Sequence, residues 1–350
     1  MHVTWVSDIF EQLNGVSVYI KNIMPLLKER IQIDLMTGRI KGSYDYPIRH
    51  LPAFPFFLFK DYDVVIPNFV KIDADVIHVH TAHVLGQYAS FLPNKKVVTT
   101  HLHPYHLLEG VFGYNQPKIM QSLAWGYTVS FFNRFDVVVC QTNATKEIFQ
   151  ARGLRRKAVV IPNGMDVSKA IDVAGRPDVD FKKKYGLPGD YALFLGRLDA
   201  SKGVSWVIDA AKKLPKRNFV VVGEGRLEKE IVGIPNVRFF RRLAGDDKRA
   251  AFCDASMLLM PSVIETEGIV AQEAMLCKTP VLISGNPVLR EVVGKGGISC
   301  GSMDGFTENA EMLFTNPAIR EEMGERGLEE VKKRDIRASV DALVKLYESM

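Results

Sequence analysis

Two acidic residues flank a glycine at a predicted helix start. Glu265 follows the apolar run 255–260, which predicts a buried strand that ends at Pro261-Ser262. From Gly268 the spacing becomes helical and places Glu273 two turns into the helix. A glycine there lets a ligand approach free backbone N–H groups at the positive end of the helix dipole, which favours an anion. Carboxylates beside an anion site indicate a ligand with both phosphates and hydroxyl groups, such as a nucleotide sugar.

The same stretch has a purely structural interpretation. Glu267 could cap the first helical turn, and Glu265 could pair with a surface lysine. The ligand interpretation needs the backbone N–H groups of Gly268, Ile269 and Val270 as phosphate donors. On this stretch alone the two interpretations are equally supported, so the elements around it must decide.

The bulk composition predicts a globular protein of two ordinary domains. The 350 residues are 47% hydrophobic and 24% charged, with a net charge of +5. Residues 1–162 carry 17 Lys and Arg against 12 Asp and Glu, whereas residues 163–350 carry 28 of each. The confined excess suits a lipid surface or a phosphorylated acceptor, although a merely soluble basic surface would look the same. No nucleic-acid partner is expected.

The cysteines and the termini favour the cytoplasm. Cys140, Cys253, Cys277 and Cys300 are widely spaced and form no metal-binding pattern, which predicts buried free thiols in a reducing compartment. The chain opens without a basic segment typical of signal peptides, and no apolar run approaches the ~18 residues of a membrane span. We therefore expect a cytoplasmic protein, with a peripheral position on the inner membrane face as an option.

The first half of the chain alternates strands with helices, as doubly wound α/β sheets do. Strand 3–7 leads through a loop to Asn14-Gly15 and then to the helical pattern 16–27. Gly15 could adopt a positive φ and admit a ligand, or it could belong to a plain turn. The run 51–60 holds four phenylalanines and two prolines, which favours a loop packed under the domain over one dipped into a bilayer.

Histidines follow two predicted strands of this half. His80 ends the strand that begins at Val76, and His101 and His103 follow the strand 96–100. The carboxyl ends of parallel strands form the ligand-binding edge of such sheets, so these residues should line a cleft. No Asp, Glu or Cys stands at metal-ligand spacing. Hydrogen bonding to sugar hydroxyls, or simple packing, is therefore favoured over a metal site.

The second half repeats the pattern after a Gly/Pro-containing linker, residues 167–187. Its first strand, Tyr191–Leu195, runs into Gly196-Arg197, and Lys202-Gly203 precedes the helix 204–214. Two cations beside a helix start make a second candidate diphosphate site. The short motif Gly223-Glu224-Gly225 is weak evidence for a nucleotide. The last helix is predicted over 336–348.

Taken together, these segments resemble retaining glycosyltransferases of the GT-B fold, family 4 (glycosyl transferases group 1). The most specific elements are Glu265 and Glu273, with seven residues between them, and the Gly-Arg to Lys-Gly segment. The other matching pieces are Asn14-Gly15-Val16, residues 75–80, Thr100-His101, residues 161–166, residues 222–225 and Pro261-Ser262.

The resemblance implies two Rossmann-like domains that face each other across a cleft. Residues 1–165 would bind the acceptor and residues 166–335 the nucleotide sugar, and the helix 336–350 could pack back on the first domain. The donor would be a UDP-, GDP- or ADP-hexose and the acceptor a lipid or saccharide hydroxyl. An anionic membrane surface is a further candidate partner.

The resemblance also implies roles for single residues. Arg197 and Lys202 would bind the donor diphosphate and stabilise the departing nucleoside diphosphate. Glu265 would contact the sugar hydroxyls, Glu273 the ribose, and His101 the donor sugar. Gly15, Gly196 and the N–H groups of residues 268–270 would complete the donor site, and Asn14, His80 and His103 would lie on the acceptor side.

No metal is implied, because cationic side chains neutralise the diphosphate. The implied retaining route is front-face attack through an oxocarbenium-like state, in which the donor phosphate helps to take the acceptor proton and Glu265 is not a nucleophile.

Two positions depart from the family pattern. Thr266-Glu267 replaces Pro-Phe, which could alter contacts to the donor hydroxyls, and Arg241 stands where glycine is usual, near the nucleobase region. Two other functions fit the same architecture. One is a nucleotide-sugar epimerase, which the glutamate pair disfavours. The other is a non-catalytic sugar-nucleotide binder, which the full set of cations and acids disfavours.

Overall fold

The computed structural model describes residues 1–12, 14–55, 63–101, 103–105, 107–108, 116–168 and 178–350. The chain divides into two compact units, one formed by Met1–Gly164 with Ile336–Met350 and the other by Met165–Asp335. The phenylalanines at 56, 57 and 59 lie outside the described residues. Phe54 is described and is half exposed.

Strands and helices alternate along both units. The strands are β1 His2–Val6, β2 Gln32–Thr37, β3 Ile48–His50, β4 Ala53–Pro55, β5 Asp63–Val65, β6 Val76–Val79, β7 Lys95–Thr99, β8 Val137–Cys140, β9 Lys157–Val160, β10 Tyr191–Leu195, β11 Asn218–Val222, β12 Val237–Phe240, β13 Met257–Met260, β14 Val281–Ser284 and β15 Gly297–Cys300. The helices are α1 Gly15–Leu27, α2 Val84–Ser90, α3 Lys118–Phe132, α4 Asn143–Ala151, α5 Phe181–Tyr185, α6 Val204–Lys213, α7 Glu228–Ile231, α8 Gly245–Cys253, α9 Ile269–Leu276, α10 Pro287–Val293, α11 Met303–Thr315, α12 Pro317–Lys332 and α13 Ile336–Glu348.

Each unit is built on a parallel sheet. The first has the order β3-β2-β1-β6-β7-β8-β9 and the second the order β12-β11-β10-β13-β14-β15. In both, the strand order reverses beside the first strand of the unit, which is the doubly wound Rossmann arrangement. The predicted α/β architecture is thereby confirmed. Strands such as β6, β8 and β13 are buried along their whole length, which explains their apolar runs without polar alternation.

The structure differs from the elements predicted from the sequence in several places, and helices α2 and α3 were not predicted. The edge strands β3 and β15 were not predicted. The predicted strand 63–66 does not join the main sheet, because β5 pairs antiparallel with β4 in a separate two-stranded ribbon. Helix α9 begins at Ile269, so Glu273 is its fifth residue and lies about one turn into the helix rather than two.

The last helix belongs to the core of the first unit. Val340, Leu343 and Tyr347 of α13 are buried in the same apolar cluster as Trp5 of β1. The Trp5 indole Nε1 donates a hydrogen bond to the Tyr347 hydroxyl at 3.0 Å. Burial of this face, rather than helix propensity, therefore fixes α13 on the unit that holds the beginning of the chain.

A glycine permits the crossing of two chain segments in the first unit. Gly164 has φ +81°, and a Cβ atom there would lie 2.6 Å from the Ile336 Cα and 2.9 Å from the Ser339 Oγ. A side chain at this position meets both backbone strain and a backbone atom that cannot move away. The turn after β9 therefore requires glycine for the approach of α13.

The prediction of free thiols is confirmed for all four cysteines, but only two of them are buried as predicted. Cys140 and Cys300 are buried, but Cys253 and Cys277 are only partly buried, and their Sγ atoms lie 2.8 Å apart. Cys253 ends α8 and Cys277 caps α9, so the contact between their free thiols follows from the packing of these two helices. Their wide separation in sequence hides this contact.

Candidate active site

The loops after β10 and β13 meet at the point where the second sheet reverses its strand order. These strands are neighbours, so their carboxyl ends lie side by side. The Val263 N–H donates to the Ser201 carbonyl at 2.8 Å, which joins the two loops through the backbone. The Lys202 Nζ lies 2.5 Å from the Glu265 Oε1, and the two side chains are 22% and 10% exposed. The structure thus brings the predicted cation and the first predicted acid together.

Asp199 and Gly203 determine where Lys202 lies. The Asp199 carboxylate accepts hydrogen bonds from the Ser201 hydroxyl at 2.6 Å and from the Lys202 N–H at 3.1 Å, which caps the short 3-10 turn Ala200–Lys202. Gly203 has φ +66°, and a Cβ there would lie 2.0 Å from the Pro261 carbonyl oxygen. The Lys-Gly pair therefore needs its glycine for close packing of the two loops.

Arg197 lies on the same loop with its side chain half exposed. Its Nε is 3.4 Å from the Asp199 Oδ2, so the residue that caps the turn also orients the guanidinium. The preceding residue, Gly196, donates its N–H to the Val222 carbonyl at 3.0 Å. A Cβ at Gly223 would lie 1.8 Å from the Gly196 carbonyl oxygen. The Gly-x-Gly motif thus has a packing function, because it lets the loop of β11 lie against the loop that carries Arg197.

Glu273 of α9 pairs with a lysine that the sequence did not point to. The Lys248 Nζ of α8 lies 2.6 Å from the Glu273 Oε1, and both side chains are about one-third exposed. The two residues are 25 positions apart and belong to different helices, so no local spacing predicts the pair. Lys248 holds the carboxylate in place while leaving part of it open to solvent.

Helix α9 begins directly after Gly268, where the sequence predicted a helix start. Gly268 caps the helix with φ +74°, and a Cβ there would lie 2.6 Å from the Leu289 Cδ2. The helix geometry leaves the N–H groups of residues 268–270 outside the helical hydrogen-bond ladder. Gly268 is therefore required by backbone conformation and packing, and the free N–H groups next to it could hold an anion.

The two departures from the family pattern lie in different surroundings. Glu267 is only 2% exposed, so it occupies an interior position and does not add a surface carboxylate beside Glu265. Arg241 is exposed, and its Nη2 lies 2.7 Å from the Glu228 Oε1 of α7. An ion pair on the surface thus accounts for Arg241.

In the first unit, Asn14 and Gly15 open helix α1. The Asn14 side chain accepts a hydrogen bond from the Ser17 N–H at 3.0 Å, which is a helix N-cap. Gly15 does not adopt the positive φ that the sequence left open, because it is the first residue of α1 and is not among the residues with positive φ. Apart from its chain neighbours and the backbone of its own helix, no atom of the described residues would lie within 4 Å of a Cβ at Gly15. The protein itself therefore gives no steric reason for glycine at this position.

The histidines after β6 and β7 form a cluster in which His80 is buried and His101 and His103 are partly buried. His80 is 2% exposed, its ring lies 4.1 Å from that of Trp5, and its Nδ1 lies 3.2 Å from the His101 Nε2. For His80 this burial favours packing, which the sequence left open, over direct contact with an acceptor. His103 packs edge-on against Trp125, with ring centres 5.4 Å apart.

His78, which the sequence did not single out, anchors this cluster to α13. Its Nδ1 lies 2.5 Å from the Tyr347 hydroxyl and its Nε2 lies 2.7 Å from the Thr99 hydroxyl. The Trp5 indole can only donate, so the Tyr347 oxygen accepts from it and gives its own proton to the His78 Nδ1. His78 then carries its proton on Nε2 and donates to Thr99.

The same reasoning assigns the tautomers of His101 and His80. The Gln141 amide nitrogen lies 3.4 Å from the His101 Nδ1, and the Gln141 oxygen accepts from the Thr100 hydroxyl. His101 therefore accepts on Nδ1 and donates from Nε2 to the His80 Nδ1. His80 keeps a proton on Nε2, an atom that is buried without a hydrogen-bond partner among the described residues.

This cluster should make the protein less stable in mild acid. Burial lowers the pKa of His101 to about 3, and it lowers the pKa values of His78 and His80 well below 6.5. Below pH 6.5 the unfolded chain binds protons that the folded chain excludes, so stability is full above this pH and falls as the pH decreases. Each histidine contributes about 1.4 kcal/mol per pH unit. We expect the free energy of unfolding in urea to be clearly smaller at pH 5 than at pH 7.5.

A histidine variant tests the assignment. His101→Asn should reduce the dependence of stability on pH by about one histidine's share, whereas His50→Gln, at an exposed position, should not. An unchanged pH dependence in His101→Asn would mean that this histidine binds its proton over the same pH range in the folded and the unfolded protein.

Comparisons with known proteins decide the family. The family described as "Glycosyltransferase Family 4" matches residues 13–169, and the family described as "Glycosyl transferases group 1" matches residues 177–330. Together they cover most of both units. The chain belongs to glycosyltransferase family 4. It is therefore an enzyme that transfers glycosyl groups, and its two parallel-sheet units form the GT-B fold.

Individual relatives match this chain over nearly its whole length. It is 26% identical to an uncharacterized glycosyltransferase of Methanocaldococcus jannaschii, over 100% of this chain and 99% of that protein. It is 23% identical to the alpha-monoglucosyldiacylglycerol synthase of Streptococcus pneumoniae, over 96% of this chain and 84% of that protein. The structure of Anabaena HepE in complex with UDP superposes with a TM-score of 0.75 at 18% identity, over 100% of both chains. Among the described residues no helix is long and apolar enough to cross a membrane.

Proposed function

We propose that this glycosyltransferase moves a hexose from a nucleoside-diphosphate sugar to a hydroxyl group of a lipid or a saccharide, without a metal and with retention of configuration. The observation that carries the proposal is the meeting of the β10 and β13 loops. It places the Lys202–Glu265 pair at the carboxyl edge of the second sheet, where doubly wound folds bind nucleotides. HepE, which shares the fold, was solved with UDP, and this supports a nucleotide donor.

The charges of the site suit a departing diphosphate. Negative charge builds up on the leaving group as the glycosidic bond breaks, and a cation already in position lowers that barrier. Lys202 is held by Glu265, and Arg197 is oriented by Asp199, so neither has to be ordered during the reaction. The open N–H groups at the start of α9 would hold the distal phosphate. Positive side chains and backbone dipoles therefore do the work that a metal does in other transferases.

Glu265 is poorly suited to be a nucleophile. One of its oxygens is bound to the Lys202 ammonium, and the side chain is 10% exposed. A carboxylate held in this way can accept hydrogen bonds from sugar hydroxyls but has little freedom to attack an anomeric carbon. This favours front-face attack by the acceptor, with its proton passing to the donor phosphate, over a covalent glycosyl-enzyme intermediate.

The acceptor in this proposal is a hydroxyl group of a lipid or a saccharide. The relative from Streptococcus pneumoniae is named as a synthase of a glycosylated diacylglycerol, which supports a lipid acceptor. A saccharide acceptor uses the same hydroxyl chemistry. We place the enzyme in the cytoplasm, with anionic membrane as a further partner, and the surface that would contact it is described below.

Recognition of the ribose by Glu273 gives a direct test of the donor site. The wild-type melting temperature should rise with the preferred nucleoside diphosphate among UDP, GDP and ADP, because a ligand that binds only the folded state stabilises it. Its 2′,3′-dideoxy analogue should bind at least about tenfold more weakly, since two hydroxyl contacts to a carboxylate are lost. In Glu273→Gln the two ligands should bind almost equally.

Glu311→Gln is the matched control for this test. Glu311 is also a partly exposed acid of the second unit in an ion pair, with Arg217 at 2.7 Å, but it lies on α11. It should keep the full preference for ribose hydroxyls. A thermal shift that is insensitive to the ribose hydroxyls in the wild-type protein would refute the role of Glu273, and no shift with any nucleoside diphosphate would refute the proposed donor.

A further inference from the structure

Helix α3 of the first unit presents an apolar face to solvent. Ile119, Leu123 and Tyr127 are spaced by four residues, so they lie along one side of the helix, and they are 71%, 61% and 45% exposed. After Lys118 the helix contains no charged residue up to its end at Phe132. A surface helix normally covers its outer face with charged side chains. This face therefore lacks the residues that ordinarily keep a helix in water.

The apolar face continues onto the end of helix α2. The Tyr127 hydroxyl donates to the Ala82 carbonyl at 3.0 Å and lies 2.6 Å from the Gln87 side-chain nitrogen, so the two helices are in contact. Phe91, which caps α2, is 72% exposed, and the Arg134 guanidinium lies 4.5 Å from the centre of its ring. The four exposed residues Ile119, Leu123, Tyr127 and Phe91 are called the α3 surface below.

A cluster of arginines borders the α3 surface. Arg152, Arg155 and Arg156 line a groove of about 610 Å³ together with Gly126, Val129 and Asn133 of the α3 region. The Arg152 guanidinium lies 4.6 Å from the Trp125 ring centre. In the part of the chain that the structure describes, none of the three arginines forms an ion pair with a carboxylate. Their charges are therefore available to an external anion.

The basic excess of the protein is concentrated in this region. Residues 116–160 carry seven Lys and Arg against two Asp and Glu, a difference of five. The net charge of the whole chain is also +5. The rest of residues 1–162 therefore has ten charges of each sign. The positive charge that the composition revealed is a local feature beside the α3 surface and is not spread over the domain.

We propose that the α3 surface docks on a membrane of anionic lipids. Its apolar side chains would enter the boundary between headgroups and acyl chains, and the arginines beside it would bind lipid phosphates. Arginine suits this position because its planar guanidinium binds phosphate through two hydrogen bonds. A symmetric dimer through the same face would bring each basic border close to its own copy, which is unfavourable. An anionic membrane matches both the apolar side chains of the α3 surface and the positive charge of the arginines at its border.

The proposal changes the place of membrane contact that the sequence suggested. From the sequence, bilayer contact by the phenylalanines of the run 51–60 was only the less favoured alternative to packing, and most of these residues lie outside the described residues. The α3 surface is formed by another part of the chain and combines exposed apolar residues with a border of arginines. Docking would hold the first unit at the lipid surface and would favour a lipid acceptor for the proposed reaction. The docking proposal does not depend on whether the protein binds nucleotide sugars.

Co-sedimentation with vesicles tests the proposal. We expect the wild-type protein to bind phosphatidylcholine vesicles that contain phosphatidylglycerol, to bind pure phosphatidylcholine weakly, and to be released by salt. Replacing the three arginines by glutamine should lower partitioning onto the anionic vesicles on the order of 100-fold, because each basic residue near the surface contributes about one tenfold step at most. Ile119→Glu with Leu123→Glu should lower it by at least about tenfold while the lipid composition is unchanged.

Controls separate docking from folding and from donor binding. Val232→Glu changes an apolar residue of the second unit that is 55% exposed and should leave vesicle binding unchanged. All variants should keep their melting temperature and its increase with nucleoside diphosphate, which shows that the donor site is intact. The proposal is overturned if the wild-type protein ignores anionic vesicles at low salt or if the variants bind like it. It is also overturned if the wild-type protein is a dimer that Leu123→Glu dissociates, because the α3 surface is then covered by a second copy.

Discussion

Replacing Lys202 by methionine is expected to lower kcat/KM for glycosyl transfer by about 10²–10³-fold. The lysine is held at the carboxyl edge of β10 and β13, and its loss removes one of the two preorganised cations proposed for the departing diphosphate, Arg197 being the other. Methionine keeps most of the aliphatic length and therefore preserves the packing of the loop. The rate should be measured with the donor identified by the thermal-shift series. EDTA in the assay prevents a stray divalent cation from replacing the lost charge.

The structure shows that this variant has a second effect, on stability. Glu265 is 10% exposed and would lose its partner at 2.5 Å, and a mostly buried carboxylate without a partner destabilises the fold. A loss of activity in Lys202→Met could therefore come from local unfolding. The double variant Lys202→Met with Glu265→Gln removes both charges and should recover most of the melting temperature. If the assigned role is right, it does not recover the rate.

Lys213→Met is the matched control for Lys202. Lys213 is also a lysine of the second unit in ion pairs, with Asp209 at 2.9 Å and Asp304 at 2.7 Å, but it is half exposed on α6. Exposed pairs of this kind contribute about 1 kcal/mol or less, so both rate and stability should stay close to those of the wild type. A double variant at Lys202 and Glu265 with nearly normal turnover would show that the pair is structural. If EDTA abolishes wild-type turnover, the proposed metal-free mechanism is wrong.

How far the sequence predicts this fold depends on how many apolar residues each strand contains. Tyr191–Leu195 was predicted with the bounds that the structure has, because it is a compact apolar run between polar turns. Val237–Phe240 was also predicted with its bounds although it lies at a sheet edge, because three of its four residues are apolar. Strand β3, Ile48–His50, and strand β15, Gly297–Cys300, lie at the edges of their sheets and are partly exposed. They contain too few apolar residues to stand out. Their pairing with a neighbouring strand creates them, and that pairing is a tertiary property.

The candidate site was predictable as a set of residues but not as a set of contacts. Glu265, Glu273, Arg197 and Lys202 were chosen for their chemistry beside helix starts, and the structure gives each of them a charged neighbour. The partners Lys248 and Asp199 were not chosen, since ion pairing between two helices or within a loop leaves no periodic pattern. The histidine cluster shows the same limit.

Tyr347 reaches His78 across 269 residues, so only the packing of α13 on the first unit reveals that this histidine is structural. The sequence placed His80 on the cleft edge for a sound reason, because it follows a parallel strand. It could not show that Trp5 and His101 cover its ring.

Glycines can be needed for two different reasons that look alike in a sequence. Gly203, Gly223 and Gly268 each adopt a positive φ, and a Cβ added at any of them would lie within 2.6 Å of another protein atom, so the fold itself requires them. Gly15 has neither property. The space around its Cα is open, and its backbone is helical. If glycine is needed there, the need comes from a ligand, and this makes Gly15 the position where structure and function can be tested separately.

Gly15→Ala is therefore expected to leave the protein as stable as the wild type, or more stable by about 0.5–1 kcal/mol, because alanine is the better helix residue. Its methyl group would occupy the space that we propose for the bound substrates. Overpacking of about 1–3 kcal/mol against the transition state would lower kcat/KM by roughly tenfold to 100-fold. Urea unfolding and steady-state kinetics on the same preparation measure both effects.

Two other glycines bracket this result. Gly126→Ala also adds a methyl group in open space on a helix, α3, and should raise stability by about 0.5–1 kcal/mol without changing turnover in solution. Gly164→Ala forces alanine to φ +81° with its Cβ 2.6 Å from the Ile336 Cα, and it should lose more than about 1 kcal/mol of stability. Of these three variants, Gly15→Ala alone is thus expected to keep its stability and lose activity. Full activity in Gly15→Ala would instead show that Gly15 serves only to begin α1. A position that tolerates an added methyl group in open space cannot be in contact with substrate.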